Sequence, residues 1–129
     1  MGSQNIKTYM KTAPLIISVL VVIPAALIYG FKPSLLLDLR IATNDEHSFS
    51  KGVMGLYFAF SILWLFGIFN SKFLRFALIS NSLFMLGLAF GRLISMCFDG
   101  IPSITYIIGT VGELTLGLCS VVAVNSKTA

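Results

Sequence analysis

Charge is scarce in this chain. Five Asp or Glu and nine Lys or Arg make up only 11% of the 129 residues, and there is a single histidine, His47. One imidazole cannot supply a bis-histidine haem site or a histidine-rich zinc site, so no metal is expected. Cysteine is scarce too. Cys97 and Cys119 fall near opposite ends of their apolar runs, roughly 20 Å apart in depth, too far for a disulfide within one subunit. No Cys-x-x-Cys occurs, which argues against a thiol oxidoreductase. There is no phosphate loop and no dinucleotide fingerprint, and no cofactor is expected. The formal charge of +4 suits loop residues beside lipid headgroups and does not suggest nucleic-acid binding.

What the chain has in abundance is hydrocarbon. Hydrophobic residues reach 57% and the mean hydropathy is +0.93, the composition of an integral membrane protein. Four apolar runs, at about 13–31, 45–69, 73–98 and 104–124, are each long enough to cross a hydrocarbon core of about 30 Å as a helix. The first is read as a retained helix, because Ile23-Pro24-Ala25-Ala26 is not a clean small-x-small cleavage site. Asn70-Ser71-Lys72 and Asp99-Gly100-Ile101-Pro102-Ser103 are short links, which favour antiparallel neighbours. The expected fold is all-α: one integral membrane domain over residues 1–129, a four-transmembrane-helix up-down-up-down bundle. In the longer link, Pro33 to Ile41 is expected to form a short interfacial helix, and Thr43 or Asn44 to cap the second membrane helix.

Orientation follows from the basic residues. Lys7, Lys11, Lys72, Arg75 and Lys127 fall on one side, and Lys32, Arg40 and Lys51 on the other. The richer side is expected in the cytoplasm of a bacterial inner membrane, with both termini there.

Two charges sit inside the apolar runs, Arg92 in the third and Glu113 in the fourth. Either facing lipid would cost about 2.5–3.5 kcal/mol on insertion scales, so both are expected to turn inward and meet. Asp99 follows Arg92 by two helical turns, and His47 enters from the start of the second membrane helix. These four residues are expected to form an outward-facing polar pocket, with Lys51 and Tyr57 also binding ligand and Asn81 deeper. Glu113, Asp99 and His47 are the candidates for any acid–base role. Gly52, Gly55, Gly87, Gly91, Gly109, Gly112 and Gly117 are expected to let helices approach closely.

The stretch His47 to Tyr57, then Gly87-Leu88-Ala89-Phe90-Gly91-Arg92-Leu93-Ile94-Ser95, Asp99-Gly100-Ile101-Pro102-Ser103 and Gly112-Glu113-Leu114 together resemble the domain-of-unknown-function 4345 family, small bacterial four-helix membrane proteins. The resemblance spans most of the chain. It places Met54, Gly55, Tyr57, Gly91, Arg92, Asp99, Gly100 and Glu113 at characteristic positions, and puts Lys51 where relatives often carry Arg. It implies a fold and no activity.

The favoured role is a non-enzymatic membrane component that binds lipid or a hydrophobic small molecule, or that partners another membrane protein or a second copy of itself. The alternatives are a membrane-embedded enzyme acting on a lipophilic substrate through Glu113, and a proton-coupled transporter.

Overall fold

The computed structural model describes residues 2–35, 37 and 39–126, with side chains described from Met10 onward. Lys127 and the side chain of Lys7, both counted for orientation, lie outside the described residues, as do Leu36 and Asp38 of the expected interfacial helix. Among the described residues four α-helices follow one another: α1 (Gly2–Phe31), α2 (Asn44–Phe69), α3 (Leu74–Asp99) and α4 (Ile104–Asn125). All four contain a stretch long and apolar enough to cross a membrane, so the molecule is an all-α, membrane-embedded four-helix bundle.

Local chemistry sets the helix ends. Thr43 Oγ1 accepts the Glu46 backbone N–H at 3.1 Å, and the Glu46 carboxylate accepts from the Ala42 and Thr43 N–H groups at 2.7 and 3.4 Å. This capping box satisfies N–H groups that a helix start leaves without partners, and it begins α2 well before its first apolar run. At the other end, Asn70 donates its N–H to Phe66 O and accepts Lys72 N–H on its side chain, closing α2 and opening a 3-10 turn at Ser71–Phe73. Gly100, at φ 103°, stops α3 in a conformation that disfavours side chains. Within the described part of the expected interfacial helix there is one 3-10 turn, Pro33–Leu35. Proline suits a helical first turn, where its missing N–H costs nothing.

The core begins with a stripe on α1. Leu15, Val19, Val22 and Ala26 alternate spacings of four and three, which puts them on one helical face, and all are buried. They meet Tyr57 and Trp64 of α2, Ala77, Leu78 and Met85 of α3, and Ala123 of α4. Packing is most extensive between α1 and α2 and between α3 and α4. Phe84 stands among three rings, 5.2 Å from Tyr57, 5.2 Å from Trp64 and 5.0 Å from Phe60, the first two edge-on. Edge-on geometry places the positive ring edge against the negative face of its neighbour. Trp64 is fully buried and donates its indole N–H to Ser80 Oγ at 3.1 Å.

The glycines divide differently from expectation. Gly117 is a close-packing position, with Leu86 side-chain atoms 2.8 Å from where a Cβ would sit, and two glycines outside the expected set act likewise: Gly67 against Ala77 and Gly30 against Met54. At Gly52, Gly55, Gly87, Gly91, Gly109 and Gly112 a Cβ would meet nothing within 4 Å. The physical reason is local: Gly87 and Gly91 line a recess on the α2–α3 side, and Gly109 and Gly112 line another on the α1–α4 side.

Candidate functional site

Arg92 reaches across from α3 to α4. Its Nε donates to both carboxylate oxygens of Glu113, at 3.1 and 3.0 Å, and its Nη2 donates to the Tyr29 hydroxyl of α1 at 3.3 Å. The Tyr106 ring lies under the guanidinium, 4.9 Å from Cζ to centroid, within cation–π range. Tyr57 of α2 completes the cluster by stacking edge-on against Tyr29 at 5.5 Å. Each helix therefore contributes a side chain to one place. The pair is mostly shielded, with 19% of the Arg92 and 13% of the Glu113 side chain exposed.

Two recesses meet at this cluster. One, of about 980 Å³, is walled mainly by α2 and α3, with Phe49, Val53, Leu56 and Phe84 among its apolar residues and Arg40, Asp45 and Glu46 along it. The other, of about 570 Å³, lies against α1 and α4, with Ile17, Val21, Ile108 and Leu116 among its residues. Tyr29, Tyr57, Leu88, Arg92 and Tyr106 line both, whereas Glu113 lines only the second. Both volumes fall in the range typical of small-molecule sites, roughly 300–1,000 Å³.

A guanidinium carries about five N–H donors and no acceptor. Among the described residues Arg92 engages one through Nε and one through Nη2, so both N–H groups of Nη1 and the second of Nη2 have no protein partner. Those donors are available to whatever enters beside them.

Of the residues singled out from the sequence, Arg92, Glu113 and Tyr57 come together. His47 and Asp99 do not join them: neither lines a recess, and His47 is exposed in the first turn of α2, its backbone N–H donated to Thr43 O at 3.1 Å. Asp99, also exposed, accepts from Ser95 Oγ one turn earlier at 2.9 Å. Lys51 has a different setting. Its Nζ donates to Gly30 O at 3.1 Å and lies 5.4 Å from the Phe31 ring centroid, while Ser50 Oγ donates to Tyr29 O. Together Ser50 and Lys51 satisfy carbonyls at the C-terminal end of α1, where a helix needs donors and favours positive charge. Asn81 sits deeper and ties α3 to α4, accepting Ser120 Oγ at 2.6 Å.

Sequence reasoning missed Tyr29 and Tyr106. Each stands near the end of an apolar run, where tyrosine is ordinary at a membrane interface, so nothing marked them. The available signal was that a buried arginine requires acceptors and aromatic faces nearby.

A family model described as "Domain of unknown function (DUF4345)" matches residues 10–124. The chain belongs to that family. The match takes in all five residues of the cluster, and the family description names no activity. No curated protein and no solved structure matches the chain.

Proposed function

We propose that this family member is a non-enzymatic membrane component that holds a lipophilic molecule in the recesses beside Arg92 and Glu113. The observation that carries the reading is the set of free Arg92 donors at the junction of two apolar recesses. These donors are reached from the recesses, where a bound acceptor would form charge-assisted hydrogen bonds, roughly twice as strong as neutral ones. The helices run up and down in turn, in keeping with contacts between the end of α1 and the start of α2 at Tyr29–Ser50 and between Lys11 and Ser126. On the charge count both termini face the cytoplasm of a bacterial inner membrane, and the recesses open toward the outer side.

The geometry gives less support to acid–base chemistry. Both Glu113 oxygens accept from Arg92, and the two other candidate groups, His47 and Asp99, stand apart from the pair.

Native mass spectrometry of the detergent-extracted protein tests the proposal. The wild type is expected to carry a defined lipophilic mass that Glu113→Gln holds less well, because Arg92 then loses the carboxylate that orients it. A wild type that travels empty under conditions that preserve its fold would refute the reading. The same spectra give the stoichiometry and so test self-association.

A further inference from the structure

The chemistry of the cluster narrows the ligand class, given the lipophile-binding reading. We infer that the ligand is an uncharged lipid whose polar end carries ester carbonyl oxygens, its carbonyls on the free Arg92 N–H groups and its hydrocarbon along the α2–α3 recess.

The donor set asks for acceptors. What Arg92 presents is N–H only, and the nearby carboxylate, Glu113, has both oxygens engaged. A head group offering mainly donors would leave these Arg92 N–H groups without acceptors. Carbonyl oxygens accept without carrying charge.

The charge balance disfavours an anion. Arg92 is already neutralised by Glu113 at 3.0 Å. The charged residues lining the two recesses are Arg40 and Arg92 against Asp45, Glu46 and Glu113, one negative charge in excess. A phosphate or free carboxylate would add to that excess. Depth acts in the same direction: Arg92 lies seven residues before the Asp99 end of α3, about 10 Å along the helix, and charge at such depth is costly. A phosphate group would have to leave the headgroup layer to reach Arg92, whereas an ester carbonyl would not carry charge inward.

The walls suit a hydrocarbon chain. Phe49, Val53 and Leu56 on α2 face Phe84 and Leu88 on α3 across the larger recess. Between them Gly87 and Gly91 present backbone with open space above it, so a chain can lie close to α3.

The test is competition in detergent micelles, read by native mass spectrometry, between dioleoylglycerol and dioleoylphosphatidic acid, which share their chains and ester carbonyls and differ in the phosphate. The proteins are the wild type, Gly87→Leu and Leu56→Trp. Each variant places bulk in the larger recess from a different helix without touching a charge, and Gly87→Leu also improves helix propensity. The wild type is expected to retain the neutral lipid at least about ten-fold over the anionic one, and both variants to lose it by a similar factor. If phosphatidic acid is held as well or better, and is lost from the variants, the head-group inference is wrong while lipophile binding stands. If neither lipid distinguishes the wild type from two correctly folded variants, the recess holds no such lipid and both readings fall.

Discussion

Replacing Arg92 and Glu113 by Met, singly and together, should reveal a strong coupling between the two positions. Either single change leaves a charge facing a site from which its partner at 3.0 Å has gone, and removal of one member of a buried pair typically costs about 3–5 kcal/mol. Exposures of 19% and 13% leave some access to water through the recesses, which argues for the lower end, about 3 kcal/mol for Glu113→Met. Arg92→Met also removes the Tyr29 hydrogen bond and the Tyr106 contact, adding about 1 kcal/mol. The double variant buries no unpaired charge and keeps similar volume, so its cost should fall to about 1–2 kcal/mol. Set against about 7 kcal/mol for the two single changes taken together, this gives an interaction energy of about 5–6 kcal/mol. Unfolding by SDS in mixed micelles measures it, with the single tryptophan, fully buried Trp64, as the fluorescent reporter. Additivity within about 0.5 kcal/mol would show that the two residues do not act as a pair and would refute the reasoning.

Other changes separate the roles of neighbouring groups. Tyr29→Phe removes an acceptor from Arg92 Nη2 and should cost about 1 kcal/mol in the same assay, and an unchanged midpoint would mean that the 3.3 Å contact contributes nothing. Ser61→Ala should be neutral or stabilising because its buried hydroxyl has no partner, whereas Ser120→Ala should cost about 1–2 kcal/mol by leaving Asn81 with neither polar atom satisfied. The reverse order in thermal melts would contradict this assignment. Gly67→Ala should destabilise by about 1–3 kcal/mol, since its Cβ would collide with Ala77, and Gly91→Ala should be tolerated because the space is open. Equal melting temperatures for those two variants would contradict the division of the glycines. Cys97 is free and exposed two residues before the end of α3, so on the proposed orientation a membrane-impermeant maleimide should label it from outside intact cells; labelling only after lysis would reverse the orientation.

Hydropathy and helix-terminus chemistry were legible in the sequence because both depend on residues close together in the chain. Four apolar runs became four helices, and Thr43 with Glu46 formed the capping box that starts the second. The meeting of Arg92 and Glu113 was legible for a related reason: two isolated charges in apolar helices have few favourable partners besides each other. Glycine spacing was a weaker guide. It marks where helices are able to approach, and only the packed bundle decides whether they do, as they do at Gly67 and Gly117 and do not at Gly87 and Gly109.

By itself, then, the sequence determined a membrane chain of four helices, two of which carry an isolated charge within an apolar run, because burial cost and backbone hydrogen bonding act on every segment locally. Only the tertiary structure decided which groups surround those two charges. Tyr29 and Arg92 are 63 positions apart, and their contact depends on how α1 lies against α3, which no local pattern specifies. The same holds for His47 and Asp99: one is held in a helix cap turn and the other bonded within its own helix, so the bundle leaves them outside the cluster that sequence spacing had placed them in.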